Sequence, residues 1–233
     1  MRVGAITHVG QVRKVNQDGY LVRDSLLAVA DGMGGHQAGE VASSLALKVI
    51  ADWPFEQGNP LESLQKAVTH ANLKILKLGE ENQDLAGMGT TLSMALVVNK
   101  KAYIAHIGDS RIYKWDGKQL HRLTEDHSIV AELVRSGALS ETEALVHPHR
   151  NVLTRSLGTA PQVSLDIREE DMADGDVLVL CTDGLYSLIS EEEMGDILTK
   201  FTDPQQAAER LVELANERGG HDNITALVAA LGD

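Results

Sequence analysis

Apolar residues along the chain fall into short runs separated by polar, glycine-bearing turns, and into a few longer stretches with a helical repeat. Weak alternation over 3–8 predicts a first strand. A polar loop over 10–18 follows, and 20–30 predicts a hairpin turning near Arg23-Asp24. Over 38–53, Val41, Leu45 and Val49 recur every fourth residue, with Ala42, Ala46 and Ile50 beside them. That is the repeat of a helix with one buried face. Asn59-Pro60-Leu61-Glu62 opens a second helix, with an asparagine cap, a proline in the first turn and a glutamate at the third position. Its stripe is Leu61, Leu64, Val68, Ala71, Ile75 and Leu78, and Gly79 suits its end.

After a polar connection, runs at 90–98 and 102–107 predict a hairpin around Asn99-Lys100. A second hairpin, 111–115 with 119–123, turns on Asp116-Gly117. A short helix from Ser128 ends near Gly137, and Ser140-Glu141-Thr142-Glu143 is a capping box for another. Strands are predicted over 163–168 and 177–181. Helices start at Ser190 and at Asp203-Pro204, the second running to about Arg218, and a last strand covers 224–230. This order is not a regular βαβ alternation, so a doubly wound parallel sheet is disfavoured. Hairpin-built sheets with helices on their outer faces fit an α+β chain better. No repeat or interdomain linker divides it, so 1–233 is expected to be a single domain. The segment 128–151 interrupts the strands and is the candidate for a small mobile flap.

Aromatics are few, so the core must be mainly Leu, Val, Ile and Ala. The net charge of −13 argues against nucleic acid and anionic membranes as partners. A single cysteine excludes an internal disulfide and suits a reducing cytosol. No apolar run is long enough to span a bilayer, and Met1-Arg2-Val3-Gly4 leads straight into strand-like sequence without a signal peptide, so a cytoplasmic location is expected.

The candidate chemistry starts where one apolar run stops on Asp31 and gives way to Gly32-Met33-Gly34-Gly35-His36. A carboxylate at the end of a buried strand is costly unless its charge is compensated. Glycines let the backbone approach the compensating partner. A metal ion held by the Asp31 carboxylate and the Gly32 carbonyl would answer both points. On this stretch alone an ordinary Asp-Gly turn fits as well. The rest of the chain shifts that balance. The run 177–181 ends in Thr182-Asp183-Gly184, and 102–107 ends in Gly108-Asp109-Ser110-Arg111. Asp222-Asn223 comes just before the last strand. If that strand runs antiparallel to its neighbours, all four carboxylates reach one edge of the fold. Four such oxygens suit Mg²⁺ or Mn²⁺. Nucleophilic alternatives lack their surroundings: Ser187 stands six residues after Cys181 where a cysteine phosphatase needs arginine, and Ser110 is not in a Gly-x-Ser-x-Gly elbow.

Eight motifs in order carry a family resemblance: Arg13-Lys14-Val15-Asn16-Gln17-Asp18, Asp31-Gly32-Met33-Gly34-Gly35-His36, Gly89-Thr90-Thr91, Gly108-Asp109-Ser110-Arg111, Thr124-Glu125-Asp126-His127, Asn151-Val152-Leu153-Thr154-Arg155, Thr182-Asp183-Gly184-Leu185 and Asp222-Asn223-Ile224-Thr225. Together they resemble the bacterial metal-dependent Ser/Thr protein phosphatases of type 2C, the PPM family. The resemblance implies a four-layer αββα sandwich, two stacked antiparallel sheets flanked by helix pairs, with metals in a cleft at one end. It implies two Mn²⁺ or Mg²⁺ ions. Asp31 would bridge them, the Gly32 carbonyl would ligate one, and Asp183 and Asp222 would bind the other. Asp18 would hold metal-bound waters from behind. Arg13 would bind the substrate phosphate. Asp109, with Asp183, would hold a third, weaker ion, while the plainer alternative has Asp109 only ordering its turn by pairing with Arg111. Gln17 stands where eukaryotic members carry an acid.

His36 is the candidate general acid for the departing alkoxide, against a loop histidine that merely bonds a carboxylate. His127, His147 and His149 show no zinc-like spacing and are expected to be structural, and Asp126-His127 receives no chemical role. The implied activity is hydrolysis of phosphoserine and phosphothreonine by a metal-activated water. The implied partners are phosphoproteins, among them a Ser/Thr kinase and its targets, and the chain is expected to be monomeric. Two other functions stay open: a metal hydrolase of small phosphate esters, and an inactive binding module, although every carboxylate the chemistry needs is present.

Overall fold

A computed structural model of the chain describes residues 1–35, 38–55 and 58–232. The first strands are β1 (Arg2–His8), β2 (Asp18–Arg23) and β3 (Leu26–Met33). Helices α1 (Ala38–Asp52) and α2 (Pro60–Glu81) follow, then β4 (Gly89–Thr90), β5 (Leu92–Val98), β6 (Lys101–Ile107), β7 (Arg111–Trp115) and β8 (Leu120–Arg122). Helices α3 (Ile129–Arg135) and α4 (Glu141–Leu145) lie between these strands and β9 (Asp166–Asp171) and β10 (Val177–Cys181). The chain closes with α5 (Asp183–Tyr186), α6 (Glu191–Lys200), α7 (Pro204–Glu217) and β11 (Ile224–Ala230).

One sheet has the order β1-β11-β10-β7-β8, the other β2-β3-β5-β6-β9 with β4 attached to β3. All the pairings are antiparallel. Alternation along the strands sorts their side chains into layers. On β3, Leu26, Ala28 and Ala30 face α1 and α2, while Leu27 and Val29 face the opposite sheet. On β10 and β11, Val179, Cys181, Ala226 and Val228 face α6 and α7, while Leu178, Leu180, Leu227 and Ala229 face inward. The result is the expected four-layer αββα sandwich, with one apolar layer between the sheets and one under each helix pair. Fully buried Leu27, Ile104, Ile112, Leu178, Leu180 and Leu227 contribute roughly 1.5–3 kcal/mol each to the layer between the sheets. That stabilisation lets one end of the layer carry buried charge.

Four elements differ from expectation. Helix α2 passes through Gly79 to Glu81, and Asn82 ends it by donating its N–H to the Leu78 carbonyl while its side chain caps a 3₁₀ turn at Gln83–Leu85. The strand expected over 163–168 lies later, at Asp166–Asp171. Its sequence, DIREED, carries little apolar signal because it is an edge strand with a solvated face, and Lys101 pairs with its Glu169. Strand β3 runs two residues past Asp31, because Gly32 and Met33 pair with β4. Helix α5 is a single turn, too short for any periodic pattern to announce it. The flap segment holds α3 and α4, capped by Ser128 and Ser140 as expected. Its base is pinned: the Ile129 N–H donates to the Val152 carbonyl at 2.9 Å, and the Thr154 N–H to the His127 carbonyl at 2.8 Å.

Candidate active site

The inward-facing register explains where polar groups collect. Thr182 continues the parity of Leu178 and Leu180, Thr225 that of Leu227 and Ala229, and Asp31 that of Leu27 and Val29. Asp18 lies directly across the β2–β3 ladder from Asp31. At this end, therefore, the layer between the sheets changes from aliphatic to oxygen-bearing. A cavity of about 220 Å³ opens there, and its wall includes Arg13, Asp31, Gly32, Asp109, Asp183 and Asp222. Strand β11 is antiparallel to β10, which is what brings Asp222 to the same edge as the other three acids. Asp18 sits just behind this wall.

Asp18 is held by a hydroxyl network. Its Oδ2 accepts from Thr182 Oγ1 at 2.7 Å and from Thr225 Oγ1 at 2.8 Å. Thr7 joins Thr225 at 2.8 Å, and Asn16 donates to Thr7 at 2.8 Å. Asp31 is positioned through its backbone: its N–H donates to Thr91 Oγ1 at 2.9 Å, and its carbonyl accepts from the Thr91 N–H and from Thr90 Oγ1, both at 2.9 Å. Gly32 lies where β3 comes closest to α1, and a Cβ there would sit 2.0 Å from the Gly39 carbonyl oxygen, so only glycine fits. Asn223 ties the loop carrying Arg13 to the foot of β11. Its side chain accepts from the Gln17 N–H at 2.8 Å and donates to the Val9 and Val15 carbonyls at 3.0 Å. Arg13 Nη2 bonds Asp222 Oδ2 at 2.7 Å on the open side of the cavity.

Electrostatics separate this cluster from ordinary buried polar groups. Burial pushes the Asp18 carboxyl up to about 7, against the pull of its two threonine donors, with Asp183 and Asp222 adding to the rise. Burial, then the charge of Asp222, raises Asp183 to about 6. Burial also holds Asp31 and Asp109 well above the usual carboxylate range, with Asp18 and Asp183 the chief charges acting on Asp31 and Asp183 on Asp109. Among the described residues, Asp18 Oδ1 and Asp183 Oδ1 are the two buried side-chain oxygens with no hydrogen-bond partner. Among the described residues no three His, Cys, Asp or Glu side chains gather about one point, and Asp222 is turned to Arg13. The acids' donor type, summed charge and two bare oxygens fit hard divalent cations.

The structure thus brings Arg13, Asp31, Gly32, Asp109, Asp183 and Asp222 to one cavity, with Asp18 behind it. His36 lies outside the described residues. Arg111 does not pair with Asp109: its guanidinium grips Asp126 at 3.0 and 2.7 Å, so the plainer account of Asp109 loses its proposed partner. Sequence reasoning assigned no role to Thr182, Thr225, Thr91 or Asn223. Thr182, one residue past β10, and Thr225 on β11 were readable from period-two parity, since each continues the inward row of an otherwise apolar run.

An αββα sandwich whose inner layer ends in a carboxylate-lined cavity defines a class of protein built to hold hard cations. The chain belongs to the protein phosphatase 2C family, whose model matches residues 9–217. It is 39% identical to the serine/threonine phosphatase stp of Listeria welshimeri, over 95% of this chain and 92% of that one. Among solved structures, the serine/threonine phosphatase PstP/Ppp of Mycobacterium tuberculosis is 39% identical with a TM-score of 0.93, covering 100% of this chain and 99% of that one. The catalytic domain of PstP in complex with 2 manganese ions gives a TM-score of 0.92 at 36% identity, covering 100% and 98%.

Proposed function

We propose that the chain is a metal-dependent phosphatase that removes phosphate from phosphoserine and phosphothreonine in proteins. The observation that carries this reading is the cavity wall, where Asp31 on β3 and three acids just beyond the ends of β6, β10 and β11 meet an arginine in a member of this family. Two Mn²⁺ or Mg²⁺ ions, when bound, supply a water of lowered pKa and neutralise the phosphoryl oxygens. Asp31, the Gly32 carbonyl, Asp183 and Asp222 are the residues to hold them. Asp18 acts from behind, its Oδ2 fixed by Thr182 and Thr225 so that Oδ1 stays free to accept from a water. Asp109, with Asp183, is the pair for a third, weaker ion.

Arg13 releases Asp222 and turns its guanidinium to the phosphate, a bidentate partner of matching shape. His36 protonates the leaving serine or threonine oxygen, which as an alkoxide needs a proton to depart. The flap over 128–151 closes on a protein substrate from the side of Asn151 and Leu153, which line the cavity. No described helix is long and apolar enough to cross a membrane. A cytoplasmic monomer opposing a Ser/Thr kinase and its targets is the setting that fits this chemistry. The test is hydrolysis of a phosphothreonine peptide with added Mn²⁺, without it, and with a chelator. Turnover that needs Mn²⁺ and stops with chelator is expected, and full turnover in a thoroughly chelated sample would sink the mechanism.

A further inference from the structure

The Asp126-His127 pair has no part in the chemistry above, yet it is buried beside the cavity. His127 grips Gly108, the residue before Asp109, twice. The Gly108 N–H donates to His127 Nδ1 at 3.1 Å, and the His127 N–H donates to the Gly108 carbonyl at 2.8 Å. Nδ1 is therefore the acceptor nitrogen, and Nε2 faces Asp166 Oδ2 at 3.1 Å. Gly108 has φ +106°, and a Cβ there would sit 2.6 Å from Thr91, so the turn has no slack on that side either. On the far side of the turn the Asp109 carbonyl accepts from the Tyr186 hydroxyl at 3.1 Å. Tyr186 is the last residue of the one-turn helix whose first residue is Asp183. Its ring is covered by the Arg111 guanidinium, 3.6 Å from the centroid, and Arg111 is itself held by both oxygens of Asp126.

We propose that Tyr186 is a positioning residue for Asp109, and that Asp126 and His127 are the frame on which both are mounted. One turn of helix then joins Asp183 to Asp109: Asp183 stands at its start, and the hydroxyl at its end fixes the backbone from which Asp109 projects. The spacing of the two backbone segments that carry these carboxylates is set by one turn of helix and the Tyr186 hydrogen bond, on a turn already held by His127. A weakly held third ion, with few protein ligands, gains most from that preset distance. The inference rests on reading Asp109 and Asp183 as the third-ion pair.

The experiment is a Mn²⁺ titration of the full chain, with free Mn²⁺ followed by electron paramagnetic resonance, for wild type, Asp109→Ala and Tyr186→Phe. Phenylalanine keeps the ring that Arg111 covers, and thermal melting checks that the variant is folded. Wild type should show a tight class of sites and a weaker one. Asp109→Ala should lose the weaker class alone. Tyr186→Phe should keep the tight class and loosen the weaker one about fivefold, the worth of one neutral hydrogen bond. A purely structural tyrosine would lower the melting temperature without moving the weaker class selectively. Wild-type weak binding in Tyr186→Phe, alongside its loss in Asp109→Ala, overturns the positioning role. A Tyr186→Phe protein that loosens both classes alike also overturns it. Weak binding retained in Asp109→Ala refutes the reading of Asp109 itself.

Discussion

Two buried polar clusters lie side by side at the same end of the layer between the sheets. One is His106 with His127, their rings 4.8 Å apart; the other is the carboxylate set round Asp31 and Asp183. Both break the apolar pattern of the inner face. His106 finds all it needs within the chain: Ser93 Oγ lies 2.8 Å from Nδ1 and the Glu125 carbonyl 2.9 Å from Nε2. The carboxylates do not, since two of their buried oxygens go without partners and burial raises four of their pKa values together. A buried polar group that is satisfied from within the chain is part of the scaffold. One left unsatisfied beside a cavity points to a ligand from outside.

The sharpest test of this contrast is to neutralise one group in each cluster. Asp183→Asn should show no tight Mn²⁺ binding in a calorimetric titration, against tight binding by the wild type, and should cost on the order of a thousandfold or more in turnover. Its metal-free form should nonetheless melt no lower than the wild type, because one buried like charge is gone. Wild-type Mn²⁺ binding in this variant would refute the assignment.

His106→Leu should do the opposite, leaving metal affinity and turnover per folded molecule within a few-fold while lowering stability by roughly 2 kcal/mol through the stranded Ser93 and Glu125 groups. Burial depresses the His106 pKa to about 4. The folded chain thus binds fewer protons there than the unfolded one. Its contribution is complete above the ordinary histidine pKa of about 6.5 and is lost as pH falls from there towards 4, up to about 3 kcal/mol. Urea titrations of wild type and His106→Leu across that range should converge as the pH drops. Parallel curves would remove the scaffold role.

The smallest expected effect is at the open wall. Arg13 is exposed and Asp222 half-buried, so their ion pair adds little to stability. Arg13→Ala should leave the melting temperature unchanged and raise KM roughly tenfold, with a lesser change in kcat. A collapse in kcat at unchanged KM would move Arg13 from phosphate binding to the chemical step.

Much of this was legible in the sequence, and the reasons are local. Strand ends carry their acids in short motifs, and the helices of the outer layers announce themselves by a fourfold apolar repeat, as Val41, Leu45 and Val49 do. Caps at Asn59, Ser128, Ser140 and Ser190 fell where side-chain bonds to the backbone now show them. What escaped was either too short or too polar to have a period: α5, with one turn, and β9, an edge strand of charged residues. The partners of Asp18 and Asp109 also escaped. Thr225 is 207 residues from Asp18, and Tyr186 is 77 from Asp109, so only the folded topology brings them together. His36, weighed as a general acid, lies outside the described residues.

The pinned base of the flap has a consequence for how such enzymes diversify. Its two strands of departure are stitched together by the Ser128–Leu153 bridge and its flanking hydrogen bonds, so the sheets perceive only a closed junction. Changing the length of what hangs beyond that junction costs little, about 0.6 kcal/mol for each doubling of a flexible loop. The junction is thus a socket. Segments of other lengths and surfaces can be grafted into it without disturbing the acids of the cavity, and one hydrolytic engine can be fitted with many different grips.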